Sequence, residues 1–238
     1  MDRKLSVGET FSEVFAIYRS HAGVLLPVAF WLFLVVAIFD GLARDNLTLL
    51  TLSLFVSIVV GTLYKGIVVS LVRDVQDGRR DSSVGELINW ATPVLAPLLG
   101  AGILSALGIT LGIVLLIVPG LFLLTIWAVI APVIVIERCG VFDAFRRSRD
   151  LVRGNGWPVF GAVLIAYVII VVGSLIFGGI AAGIADGPLL RIVFSALAST
   201  VTAPIDALVA AVLYYRLLAI KGPAPAPIDP TAPVAPPA

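Results

Sequence analysis

Between Glu86 and Glu137 the chain runs for fifty residues without a formal charge. Apolar residues in this stretch cover every side of a helix rather than one stripe, the pattern of a segment surrounded by lipid and not by water. A bilayer core takes about 20 residues per helix, so the stretch predicts two spans and a turn. Pro119-Gly120 is the strong turn signal near its middle. The same reading of the other gaps between charges predicts six spans, at about residues 24–43, 47–72, 94–118, 121–136, 158–185 and 189–218. The expected fold is an all-α integral membrane protein, a six-span helical bundle filling residues 1–220. Residues 221–238 are rich in proline and alanine and predict an extended tail without a packed core.

A second pattern lies between the spans. From Ser6 to His21, Val7, Phe11, Val14, Phe15, Ile17 and Tyr18 share one side of a helix, while Glu9, Ser12, Glu13, Arg19 and Ser20 share the other. Ser6 and Glu9 form a capping box at its start. From Val141 to Arg153 the apolar side holds Val141, Ala144, Phe145, Ser148, Leu151 and Val152, opposite Asp143, Arg146, Arg147, Asp150 and Arg153. The tetrapeptide Ser6-Val7-Gly8-Glu9 returns as Ser83-Val84-Gly85-Glu86 ahead of the next pair of spans, and Cys139 to Ala144 stands in the same place ahead of the last pair. The chain thus reads as three repeats of one amphipathic interfacial helix plus one helical hairpin, with all three interfacial helices on the cytoplasmic side.

Composition agrees with lipid as the solvent: 60% of residues are hydrophobic and 13% charged, with a mean hydropathy of +1.10. A net charge of +1 carries no nucleic-acid footprint. The single cysteine, Cys139, excludes an intrachain disulfide, and the single histidine, His21, leaves no zinc site of His and Cys ligands. The charged, amphipathic opening does not read as a cleavable signal peptide. The distribution of basic residues is more telling than their sum. With six spans, thirteen Lys and Arg residues fall on the side of the two termini and only Arg44 and Arg191 on the other. That bias predicts a cell-membrane protein with both termini in the cytoplasm.

Two sets of residues are candidates for function. Arg146, Arg147, Arg149 and Arg153 belong to a segment with five arginines and two aspartates from Arg138 to Arg153, suited to anionic lipid headgroups or to a protein partner. The same charge also serves simply as a topology signal. Asp40, Lys65 and Asp206 are ionisable residues inside predicted spans, where an unpaired charge is costly. Lys65 lies about 10 Å along the helix from Val72 and is able either to snorkel to the interface or to pair with Asp206, which lies about 15 Å from Leu217. Asp40 sits near the outer end and reads as wet. Glu137 reads as a partner for Arg138, Arg147 or a neighbouring arginine. Gly108-x-x-x-Gly112 and Gly179-x-x-x-Gly183 fit close helix packing.

The middle of the chain carries Pro119, Gly120, Trp127, Pro132 and Glu137, then Gly140, Ala144, Arg147, Ser148, Leu151, Gly154 and Trp157. In this order and spacing they resemble the membrane domain of the glycerophosphoryl diester phosphodiesterase membrane-domain family, in which Pro119, Gly120, Pro132, Glu137, Gly154 and Trp157 are expected to be structural. The opening LSVGETFSEVFAIYRSHAGVLLPVA and the late TAPIDALVAAVLYYRL also resemble that family's ends. One departure is Arg216, which stands after Tyr214-Tyr215 where the family has an acid. The resemblance implies a stand-alone membrane domain: a catalytic barrel needs about 250 residues, and the tail after the membrane domain, residues 221–238, has only 18. No catalytic residue, metal or cofactor is expected. The expected role is a non-enzymatic contact with lipid headgroups or a partner at the cytoplasmic face, with the proline-rich tail a further partner surface. The alternative is a small transporter or lipid-translocating protein that uses Lys65 and Asp206.

Overall fold

A computed structural model describes residues 5–43, 46–78, 85–86, 92–184 and 187–222. The described residues form nine α-helices: α1 (Val7–Ser20), α2 (Ala22–Leu42), α3 (Leu47–Gln76), α4 (Leu95–Leu115), α5 (Ile117–Ile126), α6 (Ile130–Glu137), α7 (Val141–Val152), α8 (Gly156–Ile184) and α9 (Pro188–Lys221), with a single 3₁₀ turn at Thr92–Val94 before α4. Six stretches are long and apolar enough to cross a bilayer: Ala22–Leu42, Leu47–Gln76, Thr92–Leu115, Ile117–Glu137, Gly156–Ile184 and Leu189–Lys221. Their outward faces expose Leu104, Leu107, Leu111, Val168, Val171 and Leu175, a belt that is stable only against hydrocarbon. Of the second SVGE segment only Gly85 and Glu86 are described, both helical; Ser83, Val84 and the tail beyond Gly222 lie outside the described residues. In chain order the short α1 precedes the pair α2 and α3, and the short α7 precedes the pair α8 and α9.

The last span is the axle of the bundle. Along α9, Ile205, Ala207, Leu208, Val209, Ala211, Val212, Leu213, Tyr214 and Leu217 are all buried, and the helix packs on α1, α2, α3, α6, α7 and α8. The short helices pack inward too. Thr10, Val14 and Ile17 of α1 are buried against the bundle, as are Ala144, Ser148, Leu151 and Val152 of α7. Ser6 caps α1 by accepting the Glu9 N–H at 3.4 Å, and Asn46 caps α3 through the N–H groups of Thr48 and Leu49 at 2.9 and 3.3 Å.

The turn between the third and fourth spans is not at Pro119-Gly120. The chain bends three residues earlier, at Leu116, whose extended backbone (φ −159°, ψ 133°) ends α4 and starts α5. Pro119 is then the third residue of α5, where the missing N–H would have had no helical partner anyway. Gly120 instead sets the closeness of the hairpin. A Cβ built on it would stand 2.6 Å from the Ile113 nitrogen and 2.9 Å from the Ile113 Cα, and one on Gly112 would stand 2.9 Å from the Gly120 Cα. Gly108 likewise gives way to the Trp127 ring. Gly179 and Gly183 face open space, so the second small-residue pair packs against nothing among the described residues.

The fourth span is also not one helix. It breaks at Trp127–Val129, between α5 and α6. Pro132 is the third residue of α6, so the Ala128 carbonyl has no N–H to accept from that position. Ala128 and Ile130 close the break with tighter bonds to the Thr125 and Trp127 carbonyls, both at 3.3 Å.

Candidate functional site

Three side-chain constellations stand out, and the broken span touches two of them. The first is a pair. Lys65 on α3 and Asp206 on α9 meet with Nζ and Oδ2 2.6 Å apart, so Lys65 is tied across the bundle rather than snorkelling to the surface. The pair is not packed over: the side chains are 46% and 37% exposed. They open on a cavity of about 390 Å³. Its walls come from α3, α4, α8 and α9 and from both sides of the break in the fourth span, including Trp127, Ala128 and Ile130. Asp40, by contrast, is exposed at the far end of α2 and accepts a hydrogen bond from Ser53 of α3. Distance along the helices keeps it apart from the Lys65–Asp206 pair.

The second constellation locks α7 onto the bundle. Arg147 Nε donates to both Glu137 oxygens at 3.0 and 3.2 Å, and the Tyr214 hydroxyl donates to Glu137 Oε1 at 3.0 Å. One carboxylate at the end of α6 therefore joins α7 and α9. The Arg147 and Glu137 side chains are only 19% and 18% exposed. This corrects the grouping of the arginines: Arg147 points inward and is spent on Glu137, while Arg146, Arg149 and Arg153 are exposed. Ser148, one residue on, donates to the Ile126 carbonyl at 2.8 Å, a carbonyl that the break in the fourth span releases. Phe145 completes the dock edge-on to Trp127, with ring centroids 4.8 Å apart. The Cys139 thiol in the turn between α6 and α7 is raised above its ordinary pKa, by burial first and the Glu137 carboxylate second, so it stays protonated at neutral pH.

The ends of α7 differ in kind. Gly154 follows its cap with φ +87°, a left-handed conformation that a side chain strains, and so turns the chain into α8. Trp157 is 83% exposed, with its ring edge-on to Phe160, and Phe142 at the start of α7 is 73% exposed. Two bare aromatics thus flank the three exposed arginines.

The third constellation is one that the sequence concealed. Arg216 Nε and Nη1 donate to Glu13 Oε2 and Glu9 Oε2, both at 2.9 Å, and Nη2 reaches the Glu9 carbonyl at 3.0 Å. Gln76 of α3 donates to the other Glu13 oxygen at 3.0 Å. Glu9 and Glu13 read as the polar side of a surface helix, yet they clamp α1 to α9 and α3. The signal was Arg216 itself, a basic residue near the end of a largely apolar span. Among the described residues, no cluster of three His, Cys, Asp or Glu side chains is arranged to hold a metal.

This architecture is that of a multi-pass α-helical membrane protein. Residues 5–218 match the family described as a domain of unknown function (DUF7847), and the chain belongs to that family. Over 102 residues it is 40% identical to a UPF0259 membrane protein of Pectobacterium carotovorum subsp. carotovorum, a match covering 42% of this chain and 40% of that protein. No solved structure matches the chain.

Proposed function

We propose that this is a non-enzymatic protein of the cytoplasmic membrane, with both termini in the cytoplasm, that holds anionic lipid headgroups on the surface of α7. The observation that carries this reading is the division of labour among the arginines. Arg147 is consumed inside, whereas Arg146, Arg149 and Arg153 stay exposed between bare Phe142 and Trp157. Long basic stems with their heads among phosphates, bracketed by aromatics at headgroup depth, are the usual furniture of a membrane interface. The excess of basic residues on the side of the termini supports a cytoplasmic placement. The likeness to the membrane domain of glycerophosphoryl diester phosphodiesterases supports a role close to lipids, without the hydrolytic chemistry.

The test is lipid selectivity in nanodiscs that mix phosphatidylglycerol with phosphatidylcholine. Near an anionic surface each basic residue contributes about 1 kcal/mol, so Arg146→Gln/Arg149→Gln/Arg153→Gln should keep the melting temperature and lose the enrichment of phosphatidylglycerol around the protein. Arg147→Gln should do the reverse, lowering the melting temperature and sparing the enrichment. Unchanged enrichment in the triple variant would refute the reading.

A further inference from the structure

The Lys65–Asp206 pair has features that a purely structural ion pair lacks. Charges within a span are tolerated when paired, and packing usually closes over them. Here both side chains remain open to a cavity of about 390 Å³, within the size range of small-molecule sites. The hydroxyls of Ser57, Thr62, Ser105 and Tyr167 line the same space, and among the described residues these hydroxyls have no hydrogen-bond partner in the protein. Threonines elsewhere in the spans, such as Thr125, Thr200 and Thr202, return their hydroxyls to the carbonyl one turn back. The lining is otherwise largely apolar, with Ile58, Leu98, Ile109 and Leu124 among it. The site therefore offers one cation, one anion, several free hydroxyls and a greasy lining.

Net charge decides what fits. The pair is neutral as a unit, so an anion or a cation entering alone would leave one uncompensated charge in a low-dielectric region. A ligand with one charge of each sign adds none. For Lys65 to release Asp206, the carboxylate must receive a replacement donor; a primary ammonium supplies N–H groups and a quaternary one does not. The freed Lys65 ammonium and the hydroxyls then suit phosphate oxygens, and the apolar lining suits the glycerol end of acyl chains. We propose that this cavity is a binding site for the zwitterionic headgroup of a primary-amine phospholipid, with the ligand ammonium on Asp206 and the ligand phosphate on Lys65. The proposal does not depend on the arginine surface of α7.

The experiment uses the full chain carrying Arg146→Gln/Arg149→Gln/Arg153→Gln, which removes surface binding of anionic lipid, purified in a neutral detergent. Native mass spectrometry then compares short-chain phosphatidylethanolamine, phosphatidylcholine and phosphatidylglycerol. Phosphatidylethanolamine should bind tighter than the other two by about tenfold, the scale of one hydrogen bond to a charged group. Lys65→Met/Asp206→Leu, which replaces the pair by apolar groups and should fold normally, should lose this preference. Thr62→Val/Ser105→Ala, which leaves the pair intact, should weaken phosphatidylethanolamine by about tenfold with an unchanged melting temperature. Equal binding of the three lipids, or undiminished preference in Lys65→Met/Asp206→Leu, would overturn the proposal. Water-soluble phosphoethanolamine should bind more weakly than the lipid; equal affinity would overturn the lipid as the source of the zwitterion.

Discussion

Glu137→Ala should lower stability by about 3 kcal/mol, the scale of breaking a buried pair from one side, measured as thermal unfolding in detergent. The carboxylate accepts from Arg147 and from Tyr214, so its loss strands two buried donors on two different helices. Arg147 has no slack to absorb this, because its Nη2 is already buried without a partner. Glu137→Gln should cost less, since its carbonyl oxygen still accepts from Tyr214. The informative variant is Glu137→Ala/Arg147→Met, which removes both charges. Its loss should be smaller than the sum of the two single losses. Strict additivity would mean that the carboxylate and the guanidinium contribute independently, and the lock on α7 would not exist as described.

The second large effect should come from one methyl group. Gly120→Ala places a Cβ against Ile113 backbone atoms, 2.6 Å from its nitrogen and 2.9 Å from its Cα. Backbone cannot swing aside as a side chain can, so α4 and α5 must separate. Overpacking of this kind costs about 3 kcal/mol or more, again read by thermal unfolding. Gly179→Ala is the matched control: nothing lies within 4 Å of its Cβ, and in a helix alanine is the better former. Its melting temperature should be unchanged or slightly higher. A Gly120→Ala protein as stable as the parent would show that the hairpin is not closed at Leu116.

What could be read from the sequence follows from what controls each feature. The spans were legible because uncharged length is a one-dimensional property and the bilayer fixes it; Asp40, Lys65 and Asp206 stood out because charge inside such a run is rare. The turn was misplaced for a local reason. Proline and glycine signal a turn only where the backbone needs them, and here Pro119 sits in the first turn of α5 while Gly120 serves close packing. The break at Trp127–Val129 was hidden because Pro132, three residues beyond it, is also compatible with a continuing span. Arg147 was grouped with Arg146 and Arg153 because helical spacing alone places it on the polar side of α7; only the meeting with Glu137, which Tyr214 also holds, pulls it inward. The Arg216 clamp joins residues about two hundred positions apart, and no periodicity reports such a contact.

The central claim is that lipid surrounds six stretches of this chain, with α1 and α7 on one face and the α2–α3 turn on the other. A Cys139→Ser background removes the one native thiol and allows single cysteines to be placed at Ser12, Asn46 and Arg146. Labelling with a membrane-impermeant maleimide is then compared in intact cells and in inverted vesicles. The account predicts that Ser12→Cys and Arg146→Cys react only in inverted vesicles and Asn46→Cys only in intact cells. Asn46→Cys and Arg146→Cys reacting from the same side would contradict it.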